Sequence, residues 1–163
     1  MPNNIHPPFD QIDTTDVWGV GNEVDVTVQG VGRKRYRYVK FVDAVTYAPG
    51  QPTTPANAAV TSVTNDVAGG SSLVLRFSGV VIGTPTQDTF GWVQTNGYHA
   101  AVKTNGDDDI GVGDTVVMVA TDGVVDSVVA GTTTGTLLRV GVALAADVDA
   151  ANTVACWLNG GIF

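Results

Sequence analysis

Between Glu23 and Gln29 the chain alternates strictly, with Val24, Val26 and Val28 set between Glu23, Asp25, Thr27 and Gln29. A period of two is the repeat of a strand with one buried face, and a helix cannot bury such a pattern. The turn Gly30-Val31-Gly32-Arg33 then leads into a second run, Arg35 to Val42, so the first unit reads as a hairpin. Further short apolar runs predict strands near 58–64, 72–78, 90–95, 98–104, 115–120, 124–129, 136–144 and 153–158. Between them stand Asn65-Asp66, Gly69-Gly70, Asn96-Gly97, Asn105-Gly106 and Asp122-Gly123. Asn-Gly and Asp-Gly accept positive φ cheaply, which predicts tight hairpins over 90–104 and 115–129. The stretch Ala48 to Pro55 holds three prolines and is expected to be a loop, because proline cannot donate to a ladder. Ala143 to Ala151 reads as a turn or a single helical turn.

Composition closes off the alternatives. Val, Thr and Ile supply 29, 20 and 5 of the 163 residues, whereas Glu occurs once, Lys three times and Leu six times. β-branched side chains lose rotamer freedom in helices and pack well on sheets, so a helical bundle or coiled coil is excluded. The length is that of one domain. The expectation is a single-domain all-β fold, a β-sandwich or a partly closed β-barrel of about eight to ten short strands over residues 17–163. Residues 1–16, rich in Pro, Asn and Asp, carry only the isolated apolar residues Ile5, Phe9 and Ile12 and cannot form a core of their own. They read either as a disordered tail or, the reading favoured here, as an extended N-terminal arm that orders by lying on a neighbour.

Charge and reactive groups bound the function. The chain carries 8 basic and 16 acidic residues, a net charge of -8, which disfavours nucleic acid as a partner. The N-terminus lacks the basic and apolar regions of a signal peptide, and no window has the roughly 18 continuous apolar residues of a membrane-spanning helix, so no membrane partner and synthesis in a cytoplasm are expected. The single cysteine, Cys156, permits no internal disulfide and reads as a small core hydrophobe. One cysteine and the distant His6 and His99 cannot supply a zinc site, and His99 is expected to be structural. There is no Gly-x-Ser-x-Gly elbow, and Gly19-Val20-Gly21 and Gly111-Val112-Gly113 lack the rest of a phosphate-binding loop, so both read as turns. No catalytic residues and no cofactor are expected. The acidic stretch Asn105 to Asp114, with Asp107, Asp108 and Asp109 adjacent, is the best metal candidate. Its spacing is wrong for an EF-hand, and the expectation is a solvated acidic turn.

The opposite feature is a cluster of five of the eight basic residues, Arg33, Lys34, Arg35, Arg37 and Lys40. Alternation places Arg33, Arg35 and Arg37 on one face and Lys34, Tyr36, Tyr38 and Lys40 on the other. Such a hairpin serves either as a charged sheet edge that blocks aggregation or as a docking patch for an acidic partner or subunit. Trp92, Tyr98 and Trp157 lie in apolar strands and are expected to pack in the core. If they faced outward, they would suit a carbohydrate- or receptor-binding module.

Three stretches in order carry a resemblance: Arg35-Tyr36-Arg37-Tyr38-Val39-Lys40-Phe41-Val42-Asp43-Ala44 with Tyr47-Ala48-Pro49-Gly50-Gln51, then Phe90-Gly91-Trp92-Val93-Gln94-Thr95-Asn96-Gly97-Tyr98 with Gly113-Asp114-Thr115-Val116, then Val140 to Leu144 with Thr153 to Gly160. In order and spacing they resemble the head decoration, or capsid cement, proteins of tailed bacteriophages. The resemblance implies a non-enzymatic virion protein on the outer surface of an icosahedral capsid, commonly a homotrimer, that bridges copies of the major capsid protein. It transfers no catalytic residues. The long N-terminal segment and the strong basic cluster depart from the commonest pattern of that family. On this reading the interface to coat or sister subunits falls on Ile5, Phe9, Ile12 and Trp18 of the arm region and on the basic hairpin.

Overall fold

The computed structural model describes residues 7–66, 76–106, 110–119, 122–128, 138–147 and 152–159. Its elements are all strands: β1 (Glu23–Val28), β2 (Gly32–Phe41), β3 (Pro52–Pro55), β4 (Ser62–Thr64), β5 (Gly79–Val81), β6 (Phe90–Lys103), β7 (Thr115–Met118), β8 (Val125–Ser127), β9 (Leu138–Ala143) and β10 (Thr153–Asn159). They form one ten-stranded sheet in the order β1-β2-β4-β3-β5-β6-β10-β9-β7-β8, and β2 also pairs with β6. That extra pairing closes β2, β4, β3, β5 and β6 into a ring. A second curl, β6-β10-β9-β7-β8, returns toward its start through a bridge between Thr104 and Val125. The expected all-β fold is therefore present as a partly closed barrel system.

Each ring has its own core. Val39, Phe41, Tyr47, Val63, Val81 and Val93 fill the first. The second holds a cluster that includes Val102, Ile110, Val116, Val125, Val140, Val154, Cys156 and Leu158. Valine suits these interiors because a stiff, branched side chain fills a narrow barrel at little entropic cost.

The 14-residue β6 joins the two rings, and it corrects the expected hairpin over 90–104. Asn96-Gly97 does not turn the chain; it sits within a continuous strand. Opposite β2, the register passes from Gln94 against Tyr36 to Asn96 against Arg35, which leaves Thr95 as an extra residue, a β-bulge. Gly97 has φ 90°, and a Cβ there would collide with the Arg33 carbonyl of β2. The positive φ that Asn-Gly advertises is thus spent on a bulge and a close backbone approach. Buried Gln94 serves the same spot, its amide donating to the carbonyls of Asn96, Gly97 and Tyr98 at 3.1, 3.3 and 3.0 Å.

Other boundaries also move. Residues 52–55, expected to be loop, form β3, with Pro52 and Pro55 at its two ends, opposite Val80 and Val63 at positions where the flanking residues carry the hydrogen bonds. The strand expected over 58–64 shrinks to β4, since Asn57 organises a turn by accepting from the backbone N–H of Thr61 at 3.0 Å. Of the strand expected over 72–78, residues 72–75 lie outside the described set, and residues 76–78 lead into β5 without being part of it. The hairpin over 115–129 is present as β7 and β8, with Gly123 at φ 70°. Leu144 to Asp147 form a bend, and no described residue is helical.

Candidate interaction surface

The N-terminal segment lies on the chain's own sheet from Pro7 onward. The backbones of Asp13 and Phe90 exchange hydrogen bonds of 2.9 and 2.8 Å. The buried Asp13 carboxylate accepts from the Tyr38 hydroxyl at 2.7 Å. Phe9 stacks on Tyr36 with ring centroids 3.9 Å apart and meets the edge of Trp92 at 5.4 Å. Ile12 sits over Gly83 and Gly91, where an added Cβ would crowd its Cδ1 at 3.0 and 3.1 Å. Trp18 tilts against Trp92 at 6.3 Å and stays partly exposed. Phe9 thus covers an aromatic cluster of Tyr36, Tyr38 and Trp92. Ile5 lies outside the described residues.

The basic hairpin keeps its expected faces and gains partners from β1, the strand at the open edge of the sheet. Register sets Arg37 opposite Glu23 and Arg35 opposite Asp25. Arg37 Nε donates to Glu23 at 3.0 Å, Arg35 Nε donates to Asp25 at 3.0 Å, and Arg33 also pairs with Asp25. Hydrogen bonds from Arg33 and then Arg35 hold the Asp25 carboxyl down at about 2. Lys40 pairs with Asp88 at 2.7 Å. Lys34 instead places its ammonium 5.7 Å from the centre of the Tyr98 ring, and burial lowers its pKa. The two alternating acids of β1, together with Asp88, therefore offset three of the five positive charges that the cluster displays in sequence, in the manner of a protected edge strand.

A feature absent from the sequence reading appears on the outer face of the second ring. Trp157 of β10 stands opposite Tyr98 of β6 on one side and Val142 of β9 on the other, and Val142 stands opposite Thr115 of β7. The Val128 N–H donates to the Thr115 carbonyl at 3.0 Å, which carries the row to the end of β8. The inward neighbours of these residues, Val116, Ala143, Cys156 and Leu158, fill the core, so the row Val128, Thr115, Val142, Trp157 and Tyr98 faces out. Trp157 is 42% exposed and Val128 36%, and Leu144, two residues beyond Val142, is 45% exposed. This corrects the expectation that all three aromatics pack in the core: Trp92 is buried, Tyr98 is half-buried and Trp157 is on the surface. The signal was in the sequence, since the alternation of β10 puts Trp157 out of phase with Cys156 and Leu158.

Other reactive groups are held inert. His99 Nδ1 accepts from the Ala101 N–H at 3.2 Å, and burial, aided by the charge of Lys34, depresses its pKa to about 4. Burial raises the Cys156 thiol to about 12. Among the described residues no three His, Cys, Asp or Glu side chains gather as a metal site. Asp107, Asp108 and Asp109 lie outside those residues. A scan against family models finds no match to this chain, and a search of curated proteins finds none.

Proposed function

We propose that this chain is a non-enzymatic structural protein of a virion that binds the outer surface of an icosahedral phage capsid, self-associates as a homotrimer, and stabilises the shell by bridging subunits of the major capsid protein. The observation that carries the reading is the outward row through Val142, Trp157 and Tyr98. A rigid sheet that exposes tryptophan and valine side by side is suited to docking against another protein, and tryptophan and tyrosine dominate interface energetics. The order and spacing of the three family-like stretches support the major capsid protein as the partner. Binding only the assembled shell adds stability by mass action, and many bridging copies make individually modest contacts sufficient.

In this reading Trp157 and its row make the main contact, with Lys34 at its margin. Trp18 extends the attachment, while Phe9 and Ile12 brace the domain. The paired arginines Arg33, Arg35 and Arg37 protect the open edge. Co-sedimentation with empty tailed-phage capsids, with solution mass measured alongside, tests this. Saturable attachment of a trimer is expected; a monomer that never pellets with shells would overturn the proposal.

A second reading has one specific observation in its favour. Trp157 and Tyr98 are adjacent and outward, as in a platform for stacking sugar rings. Binding on a glycan array, lost in Trp157→Ala, would favour that reading over capsid attachment.

A further inference from the structure

One cation of the basic hairpin has no acid. β1 sets Asp25 opposite Arg35 and Glu23 opposite Arg37, but it sets Val26 opposite Lys34. Arg33 shares Asp25, and Lys40 reaches Asp88. Among the described residues no carboxylate forms an ion pair with Lys34. Its ammonium stands 5.7 Å from the centre of the Tyr98 ring instead. Burial lowers the pKa of Lys34, so part of its hydration is already lost with no opposite charge to offset the loss. The face of a tyrosine attracts a cation more weakly than a carboxylate does.

Lys34 also stands at the end of the outward row. Register places Trp157 opposite Tyr98, and Trp157 Cη2 would lie 3.7 Å from a Cβ added at Gly32, two residues before Lys34. The indole of β10 therefore reaches β2, the strand that carries the ammonium. An exposed indole, a half-buried tyrosine ring and a lysine without an acid meet at one place. The chain as a whole is acidic, with a net charge of -8. An acidic group on a partner is repelled over most of such a surface and attracted where an uncompensated cation stands.

We propose that Lys34 receives an Asp or Glu carboxylate of the docked capsid protein, next to an apolar side chain that packs on the Trp157 indole, and so sets the register of docking. The inference rests on the capsid-docking reading and adds the chemistry of the partner's contact. Arg33, Arg35 and Arg37 do not fill this role, since Asp25 and Glu23 already occupy them. The partner's carboxylate completes the ion pair that β1 leaves open. A charge pair placed this way selects one orientation and disfavours the others, where acids face acids.

The test decorates empty tailed-phage capsids with the full chain and treats them with a carbodiimide, which joins an amine to a touching carboxylate as an amide. Mass spectrometry of the digest is expected to find Lys34 joined to an Asp or Glu of the capsid protein. In co-sedimentation, Lys34→Gln should weaken attachment roughly tenfold and reduce its sensitivity to salt, Lys34→Glu should weaken it further, and Lys34→Arg should restore most of it. Equal Tm shows that these variants are folded; where one is not, the crosslink in the wild-type chain decides. Trp157→Ser separates this inference from the reading beneath it. If that variant loses attachment while Lys34→Gln and Lys34→Glu keep it in full, the role of Lys34 is overturned and the docking reading stands. The same holds if Lys34 is joined to no capsid acid, or only to an acid of a second copy of this chain. A wild-type chain that never pellets with capsids overturns both.

Discussion

Replacing Gly97 by Ala separates the bulged strand from the hairpin that Asn96-Gly97 suggests. Gly97 lies at φ 90°, where an L side chain costs roughly 1–2 kcal/mol. The added Cβ would also overlap the Arg33 carbonyl, and it would come within 3.2 Å of Lys34 Cα. The backbone of β2 cannot rotate away as a side chain would, because Arg35 to Lys40 are registered against Asn96 to Phe90. Forcing extra volume into such a contact costs typically another 1–3 kcal/mol, for a total near 3 kcal/mol. For a chain of this length that lowers Tm by roughly 6–12 °C. Gly30 and Gly113 supply the control, with φ values of 77° and 91° and nothing within 4 Å of an added Cβ. Their alanine variants should show the conformational cost alone. Urea denaturation of the three variants, read as midpoint at constant m, gives the comparison. If Gly97→Ala loses no more stability than Gly30→Ala and Gly113→Ala, the close approach of β2 to β6 is wrong.

Three further outcomes follow from the same contacts. Asp13→Ala removes the acceptor of the buried Tyr38 hydroxyl and should cost about 1–3 kcal/mol; limited proteolysis should then cut between Pro7 and Asp16, and equal resistance to the wild type would count against the packed segment. His99 is held neutral, with its pKa depressed from the ordinary 6.5 to about 4. The unfolded chain therefore binds the extra proton first, so the contribution of His99 to stability is complete above pH 6.5 and declines as pH falls from 6.5 to 4. His99→Gln should flatten that part of the stability profile measured by urea denaturation, and an unchanged slope would refute it. Cys156, buried and with its thiol at about 12, should resist iodoacetamide at pH 8 in the folded protein and react once urea unfolds it.

The fold class was legible because the alternation of Val24, Val26 and Val28 and the valine-rich runs report burial directly, and burial is what organises this sheet. The faces of the basic hairpin were legible for the same reason. Strand closure was not, because alternation assigns faces but carries no information on which edges meet. The pairing of Arg35 and Arg37 with Asp25 and Glu23 required the β1–β2 register. Gly97 misled because positive φ serves a bulge as well as a turn, and only the facing Arg33 carbonyl distinguishes the two. Trp157 was readable in principle, since it sits between the core residues Cys156 and Leu158, but an apolar strand buried on both faces gives the same run of letters.

The outward row is the central element of the proposed docking surface, and it is tested by comparing Trp157→Ser with Arg35→Glu in capsid co-sedimentation, after equal Tm confirms that Trp157→Ser is folded. Docking through this row requires that loss of the exposed indole abolishes attachment while reversal of the arginine already paired with Asp25 leaves most of it. Full attachment by Trp157→Ser, with attachment lost in a folded Arg35→Glu protein, would contradict it.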